Sequence, residues 1–288
     1  MGTIIASLLG GGLFGIFGWQ YLSPESIVDN LDKTFNKLND IIQGAVDLVT
    51  NPIDSMEGIW DVVSSVHNAI LPMGYSLLTL FFLLGFMNKS LSFRIIRIED
   101  IIRLILKMII AKAVMEKSFE LLNMVYGIAT DLILKVDFSV ASIKIVDTAA
   151  LAEQIDKMNF IERIVFQTQF TPISIVSFIL NLMVFVICYG RIVEICIFTA
   201  VSPIPIATLS SEEYAGTAKG FFRHYFAICL HGLIIVIICM IFGGLAQTLI
   251  GAADTSDFGV GMSISLSIML IYVLSKSESW ARQIMGAH

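Results

Sequence analysis

The sequence from Ser174 to Ile250 is almost continuously apolar, and its main interruption is one charged turn followed by two nearby prolines. Arg191 and Glu194 form the charged turn, and Pro203 and Pro205 come after it. One charged side chain at the centre of a lipid bilayer costs roughly 2.5–3.5 kcal/mol. We therefore expect both charges to face protein or water, which predicts a membrane protein with a polar interior.

The charged turn allows two interpretations. In the first, Arg191 and Glu194 share one helix face, because they are three residues apart, and partly neutralise each other. In the second, the pair lies near the cytoplasmic end of its helix and extends to the lipid headgroups. Pro203 and Pro205 lack amide donors, so we expect them to break the helix in either case.

The composition also indicates an integral membrane protein. Of the 288 residues, 56% are hydrophobic and 15% are charged, whereas soluble chains carry about 25% charged residues. The mean hydropathy is +0.84. The four cysteines lie in apolar segments without the spacing of a metal or redox site, and no catalytic motif is present. We therefore expect no metal, no cofactor and no enzymatic activity.

The negative charge is concentrated in residues 23–68, which hold eight acidic and two basic residues and so account for the net charge of −6. Here Ser23 and Pro24 are typical of a helix start, and apolar residues recur every three or four positions until Asn51. A shorter amphipathic helix is predicted at 53–68, and neither helix is expected to span the membrane. Because the chain has no basic stripe, nucleic acid would pass through the protein rather than be held by it.

The predicted fold is an all-α integral membrane bundle of about five or six spans, with amphipathic helices on its extracytoplasmic side. Basic residues at 88–103, at 208–223 and in the tail assign these segments and both termini to the cytoplasmic side. The predicted regions are an apolar membrane segment at 1–22, acidic amphipathic helices at 23–68, a first membrane region at 69–136, an extracytoplasmic loop at 137–171, a core membrane region at 172–276 and a cytoplasmic tail at 277–288.

A second polar feature lies in segment 101–136, which is predicted to form either one tilted span or a hairpin of two helices broken near Lys117 and Ser118. Four polar residues in it recur at steps of four, four and three positions and so share one helix face. This polar stripe consists of Lys112, Glu116, Glu120 and Asn123. Three interpretations stay open: the stripe lines a polar lumen, binds the charged turn at 191–194, or is the wetted face of an interfacial helix.

Three successive features resemble the TrbL-type polytopic membrane subunits of type IV secretion systems. They are the charged turn, the proline turn with small neighbours that follows it, and the basic opening of the next span at 219–223. The resemblance is best over about residues 172–275 and looser over 69–135. Ser202 stands where this family usually has alanine, and the second proline, Pro205, is a further departure.

The resemblance implies a non-enzymatic, multi-pass subunit of the bacterial inner membrane that serves as a channel or an assembly platform in conjugative DNA transfer. The implied partners are further copies of the chain in a ring (a pentamer or hexamer), other membrane subunits of the machine, cytoplasmic ATPases and membrane lipids. Single-stranded DNA or a protein substrate would pass in transit.

Two other functional classes stay open. One is a secondary transporter or small-solute channel, because that class also uses intramembrane charges and broken helices. The other is a structural membrane scaffold without a conduit. Segments 69–136 and 172–250 do not form an inverted repeat, which argues against a transporter.

Overall fold

The structure, a computed structural model, describes residues 24–50, 58–91, 98–135, 159–251 and 257–287. Every regular element in these ranges is helical, which confirms the all-α class. The predicted membrane segment at 1–22 and much of the predicted loop at 137–171 lie outside the described residues.

The described part of the chain contains eight α-helices and one turn of 3₁₀ helix. They are α1 (Pro24–Thr50), α2 (Ile59–Leu91), α3 (Ile98–Glu116), α4 (Ser118–Leu134), α5 (Phe160–Val201), α6 (Pro203–Ala207), the 3₁₀ turn (Thr208–Ser210), α7 (Ala215–Gly251) and α8 (Asp257–Ile284). Helix α1 begins and ends where the sequence predicted, at the Ser23–Pro24 start and before Asn51–Pro52.

Three of these helices are long and apolar enough to cross a membrane. The candidate membrane-spanning segments among the described residues are Ile59–Ser90 in α2, Ile175–Val201 in α5 and Ala215–Leu245 in α7. Each exceeds the roughly 20 residues that a bilayer requires. The chain is therefore a membrane protein, and the count of about five or six crossings stays a prediction.

Helix α2 is continuous from Ile59 to Leu91, whereas the sequence predicted an amphipathic helix that ends at residue 68 and a membrane region that begins at residue 69. Pro72 lies inside α2 and supplies no amide donor at that position. Leu71 and Tyr75, on either side of the proline, both pack against the same apolar cluster. Tertiary packing therefore holds the helix together across the proline.

The junction of α3 and α4 settles whether segment 101–136 reverses direction. Lys117 interrupts the helix with φ −100° and ψ 10°. Its amide still donates to the carbonyl of Ala113 at 3.2 Å, and the amide of Leu121 donates to the carbonyl of Lys117 at 2.9 Å. Helical hydrogen bonds thus continue through the junction, so α3 and α4 form one kinked helix rather than a hairpin.

Helix α5 starts at Phe160 and not at Pro172, the predicted start of this span. Residues 160–171 contain no glycine or proline to interrupt a helix, so part of the predicted loop at 137–171 is helical. At the other end, α5 stops at Val201 and Pro203 opens α6. The helix therefore breaks where the sequence predicted, because proline is favoured in the first turn of a helix and disfavoured in its interior. The preference is not absolute, since α5 itself continues through Pro172.

The chain separates into two compact units. The first contains Met1–Ala45, Phe138–Val184 and Ile238–Val273, and the second contains Val46–Asp137, Phe185–Ile237 and Leu274–His288. In the first unit, Ala45, Leu180 and Leu270 are buried. All side chains of the candidate functional site belong to the second unit.

Two apolar clusters form the core of the second unit. One lies between α2, α3 and α6 and contains Leu78, Ala111, Met115, Ile206 and Ala207. The other lies between α4, α5 and α7 and contains Leu122, Tyr126, Ile192, Ile195, Phe221, Tyr225, Ile228 and Cys229. Gly74 permits close packing in the first cluster, because a Cβ there would come within 2.9 Å of the Cβ of Pro203.

Candidate functional site

Arg191 points into the protein from near the middle of the candidate membrane-spanning segment Ile175–Val201 in α5. Arg191 is only 3% exposed to solvent. The Nε atom donates a hydrogen bond to the carbonyl oxygen of Ile228 on α7 at 3.1 Å. The guanidinium carbon also lies 6.0 Å from the centroid of the Tyr126 ring on α4, which is within the range of a cation–π interaction. One arginine thus connects three helices.

Gly232 makes room for this guanidinium. It lies one turn after Ile228 on α7, and a Cβ at this position would collide with the guanidinium carbon and both terminal nitrogens of Arg191. Glycine is therefore required here by close approach and not by backbone conformation. Gly232 is one of several glycines in α7, so the sequence alone did not single out this contact.

Arg191 does not form an ion pair with Glu194, contrary to the first interpretation of the charged turn. The carboxylate of Glu194 contacts His224 on α7 at 3.0 Å and Arg282 on α8 at 3.4 Å. Helical side chains tilt toward the N-terminus, so a basic residue that precedes an acidic one is in the less favourable order for pairing. Arg191 and Glu194 therefore contact different neighbours and not each other.

The second interpretation, in which Arg191 extends to the headgroups, is also wrong. The side chain is buried, and the groups that interact electrostatically with it are Tyr126, Tyr225, Cys188 and Cys229. No carboxylate is among them, and Nη2 has no hydrogen-bond partner in the described part of the chain. Arg191 therefore holds a positive charge in the protein interior that a backbone carbonyl and aromatic rings stabilise.

Glu194, His224 and Arg282 form a second polar group, called here the Glu194 node. Glu194 and His224 are partly buried, with side-chain exposures of 26% and 21%. Arg282 is further held by Glu278 at 2.6 Å, one turn earlier on α8. The node ties α5, α7 and α8 together. The sequence treated Arg282 only as a basic residue of the tail, and nothing in the sequence pairs it with Glu194.

Buried hydroxyl groups continue the polar interior toward the proline turn. The hydroxyl of Ser202, directly before Pro203, donates to Ser118 Oγ at 3.1 Å, and His67 Nε2 lies 2.9 Å from the same oxygen. These three residues are all at most 3% exposed. Ser202, where the resembling family usually has alanine, therefore links the proline turn to the kink between α3 and α4.

Tyr225 makes the neighbouring connection. Its hydroxyl donates to the carbonyl of Leu122 at 3.0 Å and lies 3.3 Å from Thr199 Oγ1. His231, two turns along α7, contacts Ser277 Oγ on α8 at 2.8 Å. His231 is buried. The hydroxyl partners were missed because isolated Ser, Thr and Tyr residues show no spacing pattern.

The polar stripe lies on the outer face of α3 and α4. The side chains of Lys112, Glu116 and Glu120 are 56%, 44% and 67% exposed, and Asn123 is half-buried. Lys112 Nζ lies 3.7 Å from Glu116. The structure therefore does not bring the stripe to the charged turn at 191–194, because the inner face of the kinked helix carries Ser118, Leu122 and Tyr126 instead.

These groups suit electrostatic and structural roles. The described residues contain no set of three His, Cys, Asp or Glu side chains arranged to hold a metal ion. None of the four cysteines forms a disulfide bond, and Cys188, Cys229 and Cys239 are buried. What the arrangement provides is a fixed interior cation, a three-residue polar node and an exposed stripe of charged side chains.

Comparison with known proteins identifies the family. A family model of TrbL/VirB6 plasmid conjugal transfer-like proteins matches residues 38–203. The matched segment contains the polar stripe, the charged turn and Pro203, and it starts and ends earlier than the 172–275 segment in which the sequence resemblance was best. No curated protein and no solved structure matches the chain. Since the matched segment is more than half of the chain, the protein belongs to the TrbL/VirB6 plasmid conjugal transfer-like family.

Proposed function

We propose that this protein is a non-enzymatic membrane subunit that forms the channel or the assembly platform of a conjugative type IV secretion machine. It would assemble as a homo-oligomeric ring in the inner membrane, contact other membrane subunits of the machine and work with cytoplasmic ATPases. Family membership supports a role in conjugal transfer. The narrower role rests on the outer surface of the second unit.

The observation that carries the proposal is the exposure of the polar stripe. Lys112, Glu116, Lys117 and Glu120 are all exposed on a kinked helix whose inner face packs against membrane-spanning helices. Each charge turned toward lipid would cost roughly 2.5–3.5 kcal/mol near the bilayer centre. The stripe therefore needs water or another protein subunit in front of it, as a lumen or an assembly surface provides.

Contacts at one end of the unit support the proposed orientation. Lys89 Nζ lies 3.6 Å from Glu212, and Lys107 is hydrogen-bonded to the same carboxylate. The basic last turn of α2 and the loop before α7 thus meet at one end of the unit. The positive-inside rule assigns both of them to the cytoplasmic side.

Conjugation assays test the role of the stripe. In Lys112→Glu and Glu116→Lys we expect the transfer frequency, normalised to membrane-inserted protein, to fall at least about tenfold, with partial recovery in the charge-swapped double variant. Asp29 and Lys33 on α1 form a matched exposed pair at 2.6 Å, and reversing them should leave transfer unchanged. Wild-type transfer in both stripe variants would remove the stripe from the function.

Two further measurements separate the proposed role from the alternatives. Native mass spectrometry in mild detergents should show oligomers of one discrete copy number, and monomer alone would contradict a ring. Purified protein in vesicles should not accumulate small solutes in response to an ion gradient. Gradient-driven uptake together with normal conjugation in a deletion strain would favour the secondary transporter instead.

A further inference from the structure

A cavity of about 340 Å³ lies beside the loop that follows α6, apart from the buried arginine and the polar stripe. It is lined by the last turns of α2, by Leu104 and Lys107 of α3, and by residues 210–213. Its polar side chains include Asn88, Lys89, Lys107, Ser211, Glu212 and Glu213. This volume is within the range of sites for small ligands.

The cavity lies where three membrane-spanning segments end. The candidate spans in α2 and α5 finish at Ser90 and Val201, and the span in α7 starts at Ala215. The lining residues at 85–89 and 210–213 are therefore at the boundary between the hydrocarbon region and the headgroup region. A ligand in this cavity would be at the depth of phospholipid headgroups.

The charges of the lining are balanced but unevenly paired. Lys89 and Lys107 both approach Glu212. Glu213 receives a hydrogen bond from the amide of Asn88, and no cation lies in ion-pair range of it among the described residues. Within the described part of the chain, the cavity thus has two ammonium groups on one side and, on the other, a carboxylate that no cation contacts.

Ser211 adds a buried hydroxyl that lacks a partner. Ser211 is only 1% exposed, and its Oγ has no hydrogen-bond partner in the described part of the chain. Gly85 lies opposite, where a Cβ would come within 3.2 Å of that oxygen. A buried polar atom without a partner is costly, so a ligand atom that accepts from Ser211 after a small side-chain rotation would stabilise the site.

We propose that this cavity binds the headgroup of a zwitterionic phospholipid with a primary ammonium, of the phosphoethanolamine class. The phosphate would accept hydrogen bonds from Lys89, Lys107 and Ser211, and the ammonium would donate to Glu213. A purely anionic headgroup leaves Glu213 without a counter-charge, and a choline headgroup has no N–H to donate. The proposal goes beyond the role in conjugal transfer and depends only on membrane insertion.

Lipid retention in native mass spectrometry tests the site. The protein is reconstituted in nanodiscs that contain equal amounts of phosphatidylethanolamine, phosphatidylcholine and phosphatidylglycerol with identical acyl chains, and the lipids retained after release are counted. We expect phosphatidylethanolamine to be enriched about tenfold over phosphatidylcholine, as one charge-assisted hydrogen bond allows. Equal retention of the two, or a preference for phosphatidylglycerol, would overturn the proposal.

Variants assign the preference to named groups. Glu213→Gln should remove the preference for phosphatidylethanolamine, whereas Ser211→Ala and Lys107→Gln should lower retention of all three lipids about equally. Asp131 carries an exposed carboxylate on α4, away from the cavity. Asp131→Asn is therefore the matched control and should behave like the wild type. An unchanged lipid preference in Glu213→Gln would contradict the assigned ammonium contact.

Soluble phosphoethanolamine distinguishes a lipid from a free ligand with the same chemistry. At millimolar concentration it should not raise the thermal stability of the protein in phosphatidylcholine nanodiscs, because the acyl chains anchor the headgroup at the cavity. Stabilisation that Glu213→Gln abolishes would assign the site to a soluble ligand and overturn the lipid assignment. None of these readouts involves conjugation, so failure here is independent of the proposed transfer role.

Discussion

The guanidinium of Arg191 lies against the α-carbon of Gly232, so a charged side chain of α5 occupies the space that a side chain of α7 would otherwise fill. The same arginine donates to the carbonyl of Ile228, one turn earlier on α7. The two residues therefore set the spacing and the register of α5 and α7.

Gly232→Ala should destabilise the protein by about 1–3 kcal/mol, because the added methyl group displaces the Arg191 side chain in a packed interior. Gly220→Ala on the same helix is the matched control, since nothing lies within 4 Å of a Cβ at Gly220. The control should be neutral or stabilising by up to about 1 kcal/mol, as alanine favours a helix. Unfolding in detergent measures both, and equal effects of the two substitutions would refute the contact.

Arg191→Met should leave the free energy of unfolding unchanged or higher, because it removes a buried cation that has no carboxylate partner. It should nevertheless abolish conjugation if the interior charge is functional. Losing the arginine does not leave Glu194 unpaired, because His224 and Arg282 contact that carboxylate. A loss of stability of about 3–5 kcal/mol, as for a broken buried pair, would show that Arg191 has an acidic partner after all.

A double-mutant cycle should show that Glu194 and His224 are energetically coupled. For Glu194→Gln and His224→Gln we expect a coupling of about 1 kcal/mol, since both side chains are partly buried. Lys117 and Glu120 provide a control pair at 2.7 Å, with both side chains 67% exposed. Their coupling should be about 0–0.5 kcal/mol. Coupling energies in the reverse order would mean that the Glu194 node does not stabilise the fold.

Acidification should weaken the contact between Glu212, in the loop before α7, and Lys107 on α3. A hydrogen bond from Lys107, with the charges of Lys107 and Lys89, lowers the pKa of Glu212 below its ordinary value, although partial burial opposes the shift. A carboxyl group whose pKa is lower in the folded state than in the unfolded state stabilises the folded protein. This stabilisation is fully present at pH values above the unfolded-state pKa of about 4.3. That contribution is lost as the pH falls through the folded-state value.

The test compares unfolding of the wild type and Glu212→Gln from neutral pH down to about pH 3. The stability advantage of the wild type should shrink across the acidic end of this range and should be smaller in a Lys107→Gln background, where only Lys89 still approaches Glu212. An advantage that grows on acidification would contradict the direction of the shift.

Site-directed labelling should place the acidic helix α1 and the first turn of α7 on opposite sides of the membrane. Asp40 and Thr217 are both exposed, so cysteines introduced there in a cysteine-free background are accessible to an impermeant maleimide. The cysteine at position 40 should react from outside intact cells, and that at position 217 only after permeabilisation, as the distribution of basic residues predicts. Labelling of both from outside would overturn the proposed orientation.

Local sequence signals were sufficient for the helical class and for several boundaries. Pro24 and the Asn51–Pro52 pair delimit α1, and Pro203 follows the last residue of α5, because proline acts on its own backbone and its neighbours. The charged turn also indicated protein-facing charges, since lipid cannot solvate them. These inferences need only the residue and its immediate surroundings, which a sequence displays directly.

Only the tertiary structure decided which groups meet. Arg191 contacts Ile228, 37 positions away, and Glu194 contacts Arg282, 88 positions away. Helical periodicity shows which face a residue occupies, but the register and the rotation of the neighbouring helix determine its partner. Likewise, α2 continues through Pro72 because long-range packing outweighs a local helix-breaking preference. The arginine, an expected partner of the nearest carboxylate, thus lies instead against a glycine that only the folded chain brings to it.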